Sequence, residues 1–140
     1  MVLAHFVTRG SALLAGAAVA AGMATVGAGS AAAFPGQVQC GGPGYAQVCV
    51  KEEDSGNEAS YWADTNFANG SECNVVVRLL DGDHTVFDTP SPCGSGYQSH
   101  RAGNLANPVA GHVYHSELEV HWAAGSVDHY RSPDLVFPAG

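Results

Sequence analysis

Residues 73–93 read CNVVVRLLDGDHTVFDTPSPC, and this stretch decides the fold. The segment Cys73–Leu80 is rich in β-branched residues and carries apolar side chains on both faces, which predicts a central strand. Asp-Gly is a preferred pair in two-residue hairpin turns, so the chain is expected to fold back about Gly82–Asp83. The partner strand, His84–Thr89, should therefore run antiparallel beside the first.

The sequence has four cysteines, at positions 40, 49, 73 and 93, and an even count in a small exported chain predicts two disulfides. The hairpin brings Cys73 nearly opposite Cys93, with the prolines at 90 and 92 ending the partner strand, and this favours a bridge between them. Cys40 is then left to pair with Cys49 across a Gly-Gly-Pro-Gly loop. Two other connectivities remain open, and the spacings match no zinc module.

Turn-forming residues interrupt the chain at short intervals, and no long helical periodicity occurs. Short β-branched and aromatic segments between such turns are typical of an antiparallel sandwich or barrel. We therefore predict a single all-β domain, a small antiparallel β-sandwich of immunoglobulin-like type with about seven short strands and two disulfides. The predicted strands are Gln47–Lys51, Ser60–Phe67, Cys73–Leu80, Thr85–Asp88, His112–Trp122, Val127–Arg131 and Leu135–Phe137.

The first 33 residues have the three parts of a secretory signal peptide. His5 and Arg9 precede the mostly apolar run Ser11–Ala24, and Ala31–Ala33 fits a signal peptidase site. Cleavage there would leave residues 34–140 as one secreted, extracellular domain without membrane contact. The alternative is a retained anchor, which the excess of Ala and Gly over more strongly apolar residues disfavours.

The charge of residues 34–140 narrows the choice of partner. Four basic side chains stand against thirteen carboxylates, a net charge of −9 with neutral histidines. Without a basic patch to neutralise phosphates, a nucleic acid is not expected as a partner. Anionic membrane surfaces repel such a chain as well. A protein or a carbohydrate is the expected partner.

The strand His112–Trp122 separates apolar from polar residues with a period of two, which assigns one face to the core and one to water. The polar face carries His115, Glu117, Glu119 and His121. Three of these, His115, Glu117 and His121, are candidate metal ligands, and such a site would need help from His129 on the next strand. The alternative is a solvated face on which Glu and His offset each other.

Two aromatic residues are candidates for binding. Trp62 falls on the opposite strand face from Tyr61 and is expected to be exposed, and Tyr97 is the second candidate. Exposed aromatic rings can stack on sugars or anchor a protein partner. The alternative places Trp62 and Trp122 together in the core.

The stretch Thr89–Asn107 is rich in Pro, Gly and Ser and is tethered at Cys93. It is expected to be a projecting loop of the kind with which small secreted inhibitors occupy a protease cleft. The acidic segment 52–58 is expected to be a hydrated connection.

No catalytic motif stands out after the leader. Gly-x-Ser-x-Gly is absent from that part of the sequence, and the neighbours Ser99 and His100 point apart on a strand. We therefore predict no enzyme and no cofactor.

The Ala/Gly-rich leader, the single lysine among several arginines and the two-disulfide β domain resemble the small secreted proteins of actinobacteria. This resemblance is one of style over the whole chain, without a specific motif. It implies a thick-walled bacterial host and carries over no functional residue. The first functional hypothesis is a non-enzymatic binding module with an exposed aromatic patch around Trp62 or Tyr97. The alternatives are an inhibitor of a secreted hydrolase and a metal-binding domain.

Overall fold

The computed structural model describes residues 36–138, which form nine β-strands and one short 3-10 turn at Asp54–Gly56. Each of the seven predicted segments corresponds to a strand, and β1 and β6 are additional. The strands are β1 (Val38–Gly41), β2 (Ala46–Glu53), β3 (Glu58–Phe67), β4 (Cys73–Asp81), β5 (His84–Cys93), β6 (Gly96–Ala106), β7 (Val113–Trp122), β8 (Val127–Arg131) and β9 (Leu135–Val136).

The strands form two antiparallel sheets, which confirms the predicted all-β sandwich. One sheet has the order β1-β2-β3-β6, and the other has the order β5-β4-β7-β8 with β9 also paired to β7. β4 lies between β5 and β7, as its apolar residues on both faces predict.

The core lies between the sheets and is built from alternate residues of the central strands. Burying a Val or Leu side chain there contributes about 1.5–3 kcal/mol. Trp122 lies at the border of this core, with its ring 4.7 Å from that of Phe67 and its indole N–H donated to Asp128 at 2.7 Å. The core includes Val48, Val50, Tyr61, Ala63, Val75, Val77, Leu79, Tyr114, Leu118, Val120, Leu135 and Phe137.

Both disulfides have the predicted partners, Cys40 with Cys49 and Cys73 with Cys93. Each bridge joins residues that stand directly opposite each other on neighbouring antiparallel strands. The β4–β5 hairpin turns at Gly82–Asp83 as predicted, and Gly82 has a φ of 55°, which a glycine adopts without steric cost.

The prediction of a projecting loop at Thr89–Asn107 is wrong. β5 continues through both prolines to Cys93, and β6 occupies Gly96–Ala106. β5 is an edge strand, where prolines are tolerated because their missing N–H groups are not needed by a second neighbour. β6 is paired with β3 along its length. The Gly and Ser residues of this stretch led to its interpretation as a loop.

The acidic segment 52–58 is also not a simple hydrated connection. Glu52 belongs to β2 and is fully buried, where one carboxylate oxygen accepts a hydrogen bond from the Gly36 N–H. Only the 3-10 turn and Asn57 connect β2 to β3.

The predicted leader and its cleavage site lie outside the described residues. Within residues 36–138 no helix has the length and apolar character needed to cross a membrane. The two disulfides fit an extracellular protein.

Candidate functional site

The alternative of a solvated polar face on β7 is wrong for one of its residues. His115 is only 3% exposed, because the chain after β8 returns beside it. Arg131 donates a hydrogen bond to its Nδ1 atom at 3.2 Å, and Glu117 lies 3.5 Å from its Nε2 atom. Burial, with the Arg131 charge as the next cause, lowers the pKa of His115. His115 is therefore a buried, neutral histidine at neutral pH.

His121 lies apart from His115 and contacts Glu119 instead, at 3.0 Å. Arg78 forms an ion pair with the same carboxylate, and its hydrogen bond lowers the pKa of Glu119. The structure thus does not bring His115, Glu117 and His121 together. His129, the proposed helper, lies 3.6 Å from Glu119. Within residues 36–138 no three His, Cys, Asp or Glu side chains are grouped so that they could hold a metal ion.

A second polar group lies inside the sandwich, between the edge strands β5 and β6. His100 is buried, with Nε2 at 2.9 Å from the Thr65 hydroxyl and Nδ1 at 3.2 Å from the Ser91 hydroxyl. Burial lowers the pKa of His100. Both ring nitrogens have hydroxyl partners, so the hydrogen-bonding capacity of this buried histidine is satisfied. Ser99 is exposed while His100 is buried, as the strand alternation predicts.

The third feature is a groove on the outer face of the β1-β2-β3-β6 sheet. One row of directly opposed residues crosses this face, because Cys40 pairs with Cys49, Cys49 with Trp62, and Trp62 with Arg101. Trp62 lies on the outer face and is half-buried there, so the alternative of a core position is wrong. The groove encloses about 320 Å³ and is lined by Lys51, Glu53, Ser60, Tyr61, Trp62, Ser99, Arg101, Gly103 and Asn104.

A β-bulge helps to form the groove. The register between β3 and β6 shifts between Tyr61 and Trp62, so Tyr61 is opposite Gly103 while Trp62 is opposite Arg101. Gly103 has no side chain to fill this place, and an added Cβ atom would lie 3.4 Å from the Tyr61 hydroxyl. The bulge therefore places Gly103 against the Tyr61 ring, and both residues line the groove beside Trp62.

Hydrogen bonds hold the polar wall of the groove in place. Ser60 donates to Glu53 at 2.8 Å, and Lys51 forms an ion pair with the same carboxylate at 3.2 Å. The hydrogen bond from Ser60, followed by that from Lys51, lowers the pKa of Glu53. Asn104 donates to Glu58. Hydroxyl, amide, carboxylate and ammonium groups thus line the same groove as the Trp62 indole.

Tyr97, the second aromatic candidate, is 69% exposed but does not line the groove. It lies four residues before Arg101 on β6, about 13 Å along the strand. Its hydroxyl donates to Asp64 at 3.0 Å, which fixes the ring on the same outer face.

The groove also contains an unusual cation. The other basic side chains of residues 36–138 form ion pairs: Lys51 with Glu53, Arg78 with Asp88 and Glu119, and Arg131 with Asp134. Arg101, in the same part of the chain, has no carboxylate oxygen within 4.0 Å.

Comparison with protein-family models finds no match, and comparison with curated protein sequences finds none either. The site therefore stands on its own geometry. Sequence reasoning identified Trp62 but missed Arg101 and the rest of the wall. The alternation of exposed and buried residues along β6 could have identified Arg101, but the segment was interpreted as a loop.

Proposed function

We propose that this protein is a secreted, non-enzymatic module that binds carbohydrate in the groove around Trp62. The single observation that carries the proposal is a half-buried indole in the lining of a polar groove of about 320 Å³. Sugars present C–H faces that pack on aromatic rings and hydroxyl groups that need hydrogen-bond partners. The groove supplies both.

The shape and chemistry of the wall favour a sugar over a protein partner. Protein interfaces concentrate aromatic and apolar anchors at their centre and deplete charged residues there. Here Lys51, Glu53, Ser60 and Asn104 line the same groove as the indole. Several of these side chains are already oriented by hydrogen bonds, which reduces the entropy lost on binding.

The buried polar group around His100 supports binding without catalysis. The Ser91–His100 contact resembles a nucleophile and base, but the second ring nitrogen of His100 meets the Thr65 hydroxyl rather than a carboxylate. Serine catalysis needs a group that orients and stabilises the charged imidazole. Burial instead favours the neutral ring.

Neither alternative function has a specific observation in its favour. The inhibitor hypothesis depended on a projecting loop at Thr89–Asn107, and most of that stretch is strand. The metal hypothesis depended on His115, Glu117 and His121. Only His115 and Glu117 lie close to each other, and His121 contacts Glu119 instead.

We infer that the sandwich is immunoglobulin-like in its connections. β3 and β4 are consecutive but belong to different sheets, and so are β6 and β7. Within the first sheet β3 pairs with β6, and within the second sheet β4 pairs with β7. The B, C, E and F strands of immunoglobulin-type sandwiches have the same relation.

The experiment measures binding of neutral and acidic hexasaccharides by calorimetry, with protein recovered from the culture medium. Secretion predicts an intact mass that corresponds to residues 34–140 with both disulfides formed. We expect Trp62→Ala to weaken binding by at least roughly tenfold, because a central aromatic anchor contributes about 2 kcal/mol or more. Ser99→Leu, which narrows the groove from an exposed position, should weaken binding as well.

Tyr45→Ala is the matched control, since Tyr45 is an exposed aromatic residue outside the groove. It should bind like the wild type. The proposal fails if no hexasaccharide binds, or if folded Trp62→Ala and Ser99→Leu proteins both bind as tightly as the wild type.

A further inference from the structure

Arg101 distinguishes this groove from one made for neutral sugars. It is the cation of residues 36–138 that no carboxylate neutralises within 4.0 Å. The chain carries a formal net charge of −8, so an exposed and unneutralised guanidinium is an exception on its surface. Its charge still acts on Glu53 at longer range, as the weakest of the causes that lower the pKa of that carboxyl.

The position of Arg101 places its charge beside the proposed sugar. Arg101 stands directly opposite Trp62 across the β3–β6 pair, where Cβ atoms are about 5 Å apart. Both side chains line the groove. A sugar ring packed on the indole would therefore carry its substituents within reach of the guanidinium.

We propose that the ligand is an acidic oligosaccharide, and that Arg101 binds the carboxylate of a hexuronic acid unit next to the sugar on Trp62. This inference rests on the proposed function. The planar guanidinium matches a carboxylate with two parallel hydrogen bonds, which a neutral hydroxymethyl group cannot form.

The remaining charges favour a sparsely charged glycan over a dense polyanion. Lys51, the other cation of the groove, is already paired with Glu53. A nucleic acid or a heavily sulfated chain would bring many anions to a chain with a net charge of −8, in which Arg101 is the cation of residues 36–138 without a carboxylate partner. A glycan with one carboxylate near the Trp62 subsite needs only Arg101.

The experiment compares hexagalacturonate with its fully methyl-esterified form, which has the same sugar backbone without the charge. We expect the wild-type protein to bind the acid at least about tenfold more tightly than the ester, as a charged hydrogen-bonded pair provides. Arg101→Gln should remove this preference, so that the variant binds the acid and the ester equally. Arg101→Lys should retain part of it, and added salt should weaken binding of the acid alone.

The outcomes separate this inference from the proposed function. Equal binding of acid and ester by the wild type, or an unchanged preference in Arg101→Gln, overturns the assignment of Arg101 while sugar binding at Trp62 stands. Failure of both forms and of all neutral hexasaccharides to bind overturns the inference and the proposed function together. A hexasaccharide of otherwise neutral sugars that carries sulfate groups is a further probe. If it binds more tightly than the uronate, Arg101 binds a different anion, and the assignment of a carboxylate ligand is refuted.

Discussion

Two buried serines beside β7 differ in whether their hydroxyl groups have hydrogen-bond partners. Ser116 lies on the core face of β7 and is fully buried, and its hydroxyl has no hydrogen-bond partner within the described part of the chain. Its backbone N–H, in contrast, donates to the hydroxyl of Ser132 at 2.9 Å. Ser132 in turn donates to the carbonyl of Pro133 at 3.0 Å. The two serines therefore have opposite effects on stability.

We predict that Ser116→Ala raises the free energy of unfolding by about 1 kcal/mol, because it removes a buried hydroxyl without a partner. Ser132→Ala should lower it by about 1–3 kcal/mol, because it leaves the buried Ser116 N–H unpaired. Denaturant unfolding of the two variants beside the wild type measures both effects. A loss of similar size in both variants would contradict the assignment for Ser116.

His115 illustrates the limit of residue patterns. The alternation of β7 places it correctly on the face away from the core. Its burial depends on Arg131, the last residue of the next strand, and on Asp134, which follows that strand; they lie 3.2 Å and 3.8 Å from its Nδ1 atom. A period-two pattern specifies the face of a residue and contains no information about later segments that cover that face.

Among the elements, β6 was the least predictable and the most important for the site. Its sequence contains Gly96 and Gly103 and lacks the β-branched residues that characterise β4. β4 was predictable because both of its faces are apolar and its hairpin turn is local. β6 becomes a strand through its pairing with β3, a partner about forty residues earlier.

The two disulfides act on different elements, although both cross a pair of neighbouring strands. Cys73–Cys93 closes a separation of 20 residues and Cys40–Cys49 one of 9. In its sheet β1 has β2 as its only neighbouring strand among the described residues. The Cys40–Cys49 bridge is therefore an additional attachment of β1 to β2.

We predict that Cys73→Ala/Cys93→Ala lowers the free energy of unfolding by about 3 kcal/mol, and that Cys40→Ala/Cys49→Ala lowers it by somewhat less, because the shorter loop restricts the unfolded chain less. In the latter variant, amide hydrogen exchange should accelerate in β1 before it accelerates in β4. Equal acceleration in both strands would refute the separate role of this bridge.

For the whole molecule, the buried histidines predict how stability depends on pH. His100 and His115 have pKa values lowered from 6.5, so the folded state takes up their protons less readily than the unfolded state. Stability from these groups is complete above pH 6.5 and is lost as the pH falls towards their folded pKa values. Glu53 and Glu119, lowered from 4.5, contribute a further loss only at more acidic pH.

We therefore predict that the free energy of unfolding decreases from pH 7.5 to pH 5, by up to about 1.4 kcal/mol per pH unit for each of the two histidines. His100→Gln, which keeps hydrogen-bonding capacity towards Thr65 and Ser91, should make this dependence less steep. His84→Gln is the control, since His84 is exposed. Denaturant unfolding at several pH values decides the matter, and an unaltered slope in His100→Gln would rule out its contribution.

Local sequence alone determined the all-β class and the β4–β5 hairpin, and it favoured both disulfide pairs and an outward Trp62 while leaving their alternatives open. These features depend on side-chain alternation, turn chemistry and short separations along the chain, which a linear pattern contains. Only the tertiary structure decided that Thr89–Asn107 is mostly strand, that His115 is buried and that Arg101 faces Trp62. The reason is physical: the register between β3 and β6 arises from sheet pairing and a bulge between distant segments, and residues far apart in sequence become neighbours only when the sheets assemble.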